Sequence, residues 1–120
     1  MVEDDADARQ SLKLMLESYG ARVVVCDNAM AALQAIDRER PDVLISDIGL
    51  PEMDGYALIS ARRYHEAAVG APRLPAIALT AYGQTEDRAR AFSAGFQAHL
   101  VKPVEQEKLA AVIQKVIGAS

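Results

Sequence analysis

Short apolar runs alternate along this chain with longer stretches whose apolar positions recur every three or four residues. The runs Val23-Val24-Val25-Cys26, Asp42 to Ser46, Ala76 to Thr80 and Ala98 to Val101 read as buried strands. Leu12, Met15, Leu16 and Tyr19 follow helical spacing, and Gly20 stands where a C-cap belongs. Ala29, Ala32, Leu33 and Ile36 form a second stripe, entered through Asp27 or Asn28 as N-cap and stopped before Pro41. Weaker patterns predict helices from Gly55 to His65 and from Glu86 to Ala94, the latter closed by Gly95. The intervening stretch from His65 to Pro75 reads as a surface loop. Leu109, Val112, Ile113, Val116 and Ile117 give the cleanest stripe, in a last helix.

Strands that alternate with helices in this way predict an α/β fold, a parallel sheet with helices on both faces and right-handed crossovers. The first strand is the anomaly. Only Met1 and Val2 precede the acids Glu3, Asp4 and Asp5, whereas strands usually run to about five residues. The expectation is a single domain over residues 1–120 whose first strand is cut short at the N-terminus, as in a piece of a longer protein.

Bulk composition narrows the function classes. A chain of 120 residues with 51% hydrophobic and 25% charged residues suits one globular domain. Aromatic residues are 5% and Trp is absent, so the core has to be aliphatic. The formal net charge is −4 with no basic cluster, which argues against nucleic-acid binding. The single Cys26 forms no internal disulfide and suits a reducing compartment. No apolar stretch reaches the roughly 18 residues of a membrane span, and the N-terminus is acidic. These features predict a cytoplasmic chain without membrane contact.

Candidate chemistry lies where the strands end. All C-terminal strand ends of a parallel sheet lie along one edge, where ligands bind. Val2 is followed by Glu3, Asp4 and Asp5; Ser46 by Asp47; Leu79 by Thr80; Val101 by Lys102. Acids after strands often cap the next helix, and Asp27 is read that way. Capping explains at most one acid of Glu3, Asp4 and Asp5, and Asp7 could supply the first helix's cap by itself; Asp5 is read as a flanking solvated acid rather than a ligand. Capping does not account for Asp47, because Pro51 and the Met53-Asp54-Gly55 turn intervene before the next helix. Converging carboxylates repel unless a cation sits among them. Oxygen ligands with room for water suit Mg²⁺, which completes its shell with phosphate oxygens. A lysine and a hydroxyl beside such an ion are the equipment of phosphoryl transfer, and an Asp can itself be the nucleophile.

These motifs are Val2-Glu3-Asp4-Asp5, Ser46 to Gly55, Leu79-Thr80-Ala81 and Val101-Lys102-Pro103. With them the chain resembles the receiver domain of bacterial two-component response regulators over essentially its whole length. The resemblance implies a five-stranded doubly wound parallel sheet, flavodoxin-like, with strand order 2-1-3-4-5. It implies Asp47 as phosphoacceptor and Asp4 as a direct ligand of Mg²⁺ or Mn²⁺, with Glu3 assisting through water. The backbone carbonyl of Gly49 would be a further ligand, Thr80 the switch hydroxyl and Lys102 the cation on the phosphoryl group. A cis peptide at Lys102-Pro103 is also implied. The implied phosphodonor is a histidine kinase or histidine phosphotransfer protein. The implied partner downstream is a protein or output domain, and a homodimer is left open.

One position departs from the family pattern. Many receivers carry Tyr or Phe three residues before the lysine, and this chain has His99. An aromatic-switch role for His99 is thus an expectation carried by position alone. The responding face is expected to include residues 80–86, the helix after them, and the last strand and helix. A haloacid-dehalogenase-like phosphatase is disfavoured because position 49 is Gly rather than a second acid. A flavin or nucleotide binder is disfavoured because acids at 3 to 5 would repel its phosphate. The alternative is a receiver-like docking module that is never phosphorylated. The style of the Ala98 to Pro103 segment favours the receiver of a hybrid sensor kinase, whose isolated domain would catalyse its own phosphorylation.

Overall fold

The computed structural model describes residues 1–81 and 85–118. Its elements run α1 (Ala6–Ser18), α2 (Ala29–Glu39), β1 (Leu44–Asp47), α3 (Gly55–Val69), β2 (Ala76–Thr80), α4 (Thr85–Ala94), β3 (Ala98–Val101) and α5 (Gln106–Gly118). The three strands form a parallel sheet in the order β1-β2-β3, with Leu44 opposite Ala76 and Ile77 opposite Ala98. Five strands were expected, and the described residues hold three. In place of the other two, Val2 makes isolated parallel bridges to Cys26 on one side and Ser46 on the other. The backbone bonds there are short, with Val2 N–H donating to Ile45 O at 2.8 Å and Asp47 N–H to Val2 O at 2.9 Å. Met1 donates to Val24 O at 2.8 Å and accepts from Cys26 N–H at 2.9 Å, and Glu3 N–H donates to Cys26 O at 3.0 Å.

Side-chain alternation divides the core between the two faces of this sheet. Leu44, Ala76 and Ala78 pack with Ala32 and Ile36 of α2 and with Leu58 and Ile59 of α3. Ile45, Ile77, Leu79 and Leu100 pack with Leu12 and Leu16 of α1 and with Leu109 and Val116 of α5. The period of two along each strand thus feeds two aliphatic layers, as the sequence pattern requires. Leu58, Ile59, Ile77 and Leu79 are fully buried, each worth about 2 kcal/mol of transfer free energy.

Helix ends depart from expectation in three places. Asn28, rather than Asp27, caps α2, its side chain accepting from Ala31 N–H at 2.8 Å. Asp27 instead accepts from the Asn28 amide group at 2.7 Å. Asp5, rather than Asp7, caps α1 by accepting from Ala8 N–H at 2.8 Å, and Asp7 lies inside the first turn. The cap belongs to Asp5 because it is the last extended residue before the helix, which places its carboxylate over the free amides. Helix α3 also runs four residues beyond His65 to Val69, closed by Gly70 at φ 71°, so the expected loop is shorter.

The extension of α3 has an identifiable cause. Glu66 is buried and accepts from Arg62 at 3.1 Å, from Arg63 at 2.9 Å and from Leu74 N–H at 2.9 Å. Arg63 in turn donates to Gly95 O at 2.8 and 3.0 Å. This group ties α3 to the segment entering β2 and to the end of α4. Burial alone would push the Glu66 carboxyl up. The Leu74 amide and the Arg63 and Arg62 guanidinium groups outweigh it and hold the carboxyl below its ordinary value.

Candidate functional site

The C-terminal ends of β1, β2 and β3 face the turn after Val2. Glu3 is 1% exposed and Asp47 7%, unusual burial for carboxylates. Lys102 Nζ lies 3.0 Å from Glu3 Oε2, 3.2 Å from Glu3 Oε1 and 3.0 Å from Asp47 Oδ2. Carboxylate oxygens of Glu3, Asp4 and Asp47 all come within 4.8 Å of one another, with Asp4 exposed at the mouth. The other Asp47 oxygen accepts from Gly49 N–H at 3.2 Å.

Electrostatics follow from this packing. Burial raises the Glu3 carboxyl above its ordinary value, Lys102 opposes that shift, and the Asp47 charge adds to it. Burial would lower the Lys102 ammonium, but hydrogen bonds to Asp47 and Glu3 prevail and hold it above the usual lysine value. One ammonium is therefore shared between two carboxylates, with a third acid beside them. This is an all-oxygen donor set with a net negative charge and one solvent-facing member. It fits a small hard cation such as Mg²⁺ or Mn²⁺, which accepts carboxylate oxygens and retains water.

Thr80 ends β2, is 3% exposed, and is paired in register with Val101. Its carbonyl accepts from Lys102 N–H at 2.8 Å, so the backbone couples the threonine to the lysine directly. The Lys102-Pro103 peptide is cis. His99 lies on β3 opposite Ala78, half-buried, with Nε2 lacking a hydrogen-bond partner among the described residues. Of the expected responding face, residues 82–84 lie outside the described residues. The helix after them and β3 expose Phe92 and Val101.

The structure thus brings Glu3, Asp4, Asp47, Gly49 and Lys102 to one point, and sets Thr80 on the adjoining strand end. Three contributors were not singled out in the sequence. Gly55 opens α3 so close to β1 that a Cβ there would stand 2.5 Å from Asp47 O and 2.8 Å from Ile48 Cα. Its N–H donates to Ile48 O at 2.9 Å, closing the turn behind the acid. Ser46 Oγ donates to Asp47 O at 2.9 Å. Arg9 of α1 donates to Glu3 O at 3.0 Å and to Asp4 O at 3.4 Å, fixing the acidic turn. The Met53-Asp54-Gly55 turn signals a glycine requirement; nothing in the sequence signals Ser46 or Arg9.

Comparison with known proteins agrees with this geometry. The family model of the response regulator receiver domain matches residues 1–114. An uncharacterised 14.6 kDa protein of Leptolyngbya boryana is 47% identical over 115 residues, covering 96% of this chain and 86% of that protein. The sensor histidine kinase GacS of Pseudomonas protegens is 33% identical over 117 residues, but this chain spans 13% of its length. Among solved structures, the receiver domain of a Pseudomonas aeruginosa sensor histidine kinase superposes with TM-score 0.86 at 33% identity. That match covers 98% of this chain and 93% of that one, and the structure has a magnesium ion coordinated in its active-site cleft. The chemotaxis response regulator CheY4 of Vibrio cholerae superposes with TM-score 0.85 at 29% identity, covering 96% and 93%. Among the described residues no helix is long and apolar enough to cross a membrane.

Proposed function

Since the chain belongs to the response regulator receiver domain family, we propose that it is the phosphoacceptor of a two-component or phosphorelay system, with Asp47 as the residue phosphorylated. The observation that supports this most is the Asp47 carboxylate, buried at a strand end and held 3.0 Å from Lys102 beside Glu3 and Asp4. The donor is a phosphohistidine of a histidine kinase or histidine phosphotransfer protein. An Asp47 oxygen attacks phosphorus, the P–N bond breaks, and the leaving imidazole takes up a proton.

Glu3, Asp4, Asp47 and the Gly49 carbonyl would hold Mg²⁺ or Mn²⁺, which when bound neutralises phosphoryl oxygens in the transition state. Lys102 is the protein's own cation at that charge. On phosphorylation it exchanges its bond to Asp47 for one to a phosphoryl oxygen, which weakens its hold on Glu3. Thr80 supplies a hydroxyl to the same group. The Lys102 N–H to Thr80 O bond then moves β2 and β3 together, biasing the face that carries Phe92 and Val101 toward a downstream protein or output domain.

The same reading places the chain in the cytoplasm and gives its sheet the order 2-1-3-4-5, with Val23 to Cys26 and Met1 to Glu3 as the two outer members beside β1. Membership of a hybrid kinase is the favoured context, in line with the identity to GacS. Incubation with acetyl phosphate and MgCl₂ tests the function. Mass spectrometry should show one added phosphoryl group in the wild type and none in Asp47→Asn; equal labelling of both would refute the assignment.

A further inference from the structure

Three consecutive acids, Glu3, Asp4 and Asp5, send their carboxylates to three different surroundings. Glu3 is buried, Asp4 stands exposed at the mouth of the site, and Asp5 caps α1 through Ala8 N–H at 2.8 Å. The backbone beneath them is held by one residue of α1. Arg9 N–H donates to Asp5 O at 2.9 Å, while Arg9 Nη1 donates to Glu3 O at 3.0 Å and to Asp4 O at 3.4 Å. Nη1 carries two hydrogens, one for each of these last two carbonyls. Arg9 therefore takes the carbonyl oxygens of all three acids.

Two further observations separate this from ordinary charge pairing. Arg9 lies within six residues of four acids, at positions 3, 4, 5 and 7, yet it makes no salt bridge among the described residues. Arg9 is half-buried, and its guanidinium turns to neutral carbonyls instead. The Asp4 carboxylate, for its part, accepts no hydrogen bond among the described residues. Asp47 differs, since Lys102 holds one of its oxygens and Gly49 N–H the other. Nearby ties fall on the residues to either side of Asp4, Glu3 N–H on Cys26 O at 3.0 Å and Asp5 on Ala8 N–H. The place of the Asp4 carboxylate is thus set by its backbone, and that backbone by Arg9.

We infer that Arg9 is a positioning residue for divalent-cation binding, holding the Glu3-Asp4-Asp5 turn so that the Asp4 carboxylate meets those of Glu3 and Asp47. The inference rests on the metal-dependent reading of the site. The guanidinium has two effects on a divalent cation, of opposite sign. Its charge repels the ion, so charge alone makes Arg9 unfavourable to binding. Its two hydrogen bonds order a ligand whose backbone freedom would otherwise be lost when the ion binds. Removing the side chain therefore tightens binding if charge dominates and weakens it if ordering does. Ordering dominates here, because no other side chain holds the Asp4 carbonyl among the described residues and water reaches the half-buried charge.

Mg²⁺ binding by the wild type, Arg9→Met and Arg9→Lys, measured by calorimetry without a phosphodonor, tests it. Arg9→Met keeps an unbranched stem and removes donors and charge; it should raise Kd about tenfold or more. Arg9→Lys, whose ammonium keeps donors near the same carbonyls, should recover most of that loss. In metal-free protein, NMR order parameters should fall at residues 3–5 of Arg9→Met and stay unchanged at Ile45 to Asp47. Unchanged or tighter Mg²⁺ binding by Arg9→Met would overturn the inference and leave the metal site standing. A Kd for Arg9→Lys as high as for Arg9→Met would also overturn it, because donors near the carbonyls would then count for nothing. So would weakening accompanied by lost order at Ile45 to Asp47, since the fold rather than the turn would have failed. A wild type that binds no Mg²⁺ would overturn the metal reading itself, and the inference with it.

Discussion

Lys102 Nζ stands 3.0 Å from Glu3 Oε2, joining the residue after β3 to the N-terminal turn across 99 residues of sequence at a site where Glu3 is 1% exposed. Removing one partner of a buried ion pair costs more than the pair is worth, because the survivor remains desolvated. Lys102→Met should therefore destabilise the fold by about 3 kcal/mol in metal-free buffer. Urea unfolding with and without MgCl₂ measures this, and Mg²⁺ should stabilise the variant more than the wild type. An equal response to Mg²⁺ in both would show that lysine and metal do not share these carboxylates.

Gly55 makes a different demand. A methyl group there would meet Asp47 O at 2.5 Å and Ile48 Cα at 2.8 Å, both backbone atoms, whereas Gly49 has open space. Gly55→Ala should cost about 1–3 kcal/mol and displace the strand end that carries Asp47. Its phosphorylation by a small phosphodonor should slow well beyond that of Gly49→Ala, whose stability should change by less than about 1 kcal/mol. Parallel unfolding curves and labelling time courses of the two variants give the comparison.

Glu66 predicts a pH dependence. Its folded pKa lies below the ordinary value of 4.5, so its stabilisation is fully present above that pH and fades as pH falls through the folded value. Glu66→Gln, which breaks the pairing with Arg62 and Arg63, should lose about 2–3 kcal/mol at neutral pH. The gap between wild type and variant should narrow on acidification below 4.5. A gap that stays constant to low pH would mean the carboxylate charge contributes nothing.

His99 gives a second pH signature of the same direction. Burial and then the Arg88 charge hold its imidazole below the ordinary value of 6.5, with Asp87 opposing. A base with a depressed pKa stabilises the fold when neutral, so stability should fall as pH drops through 6.5 toward the folded value. His99→Phe should remove that part of the wild-type pH profile, as thermal melts between neutral and mildly acidic pH will show.

Much of the site was legible because strand ends collect what a parallel sheet brings to one edge. Asp47, Thr80 and Lys102 each follow an apolar run, and period alone places them together. The sheet was less legible at its first two strands. Val23 to Cys26 has the composition of a strand but makes a single isolated bridge, to Val2, among the described residues, so pairing, which is tertiary, decides its state. Caps were misread at Asp27 and Asp7 because nearby polar residues compete and the backbone angle chooses between them. Glu66 was hidden because its burial depends on Arg62 and Arg63 on its own helix and on Leu74 beyond the turn, partners that local polarity does not reveal. Gly55 was visible as a letter in the Asp54-Gly55 turn, but the 2.5 Å approach to Asp47 O exists only in three dimensions.

The central claim is that Asp47 carries an acyl phosphate, and borohydride reduction reads it directly. After phosphorylation with acetyl phosphate and MgCl₂, reduction converts an aspartyl phosphate to homoserine, which peptide mass mapping locates. Homoserine at position 47, absent without Mg²⁺ and reduced sharply in Lys102→Met, is the predicted result. Homoserine at Asp4 or Asp5 instead, or phosphate that resists reduction, would contradict it.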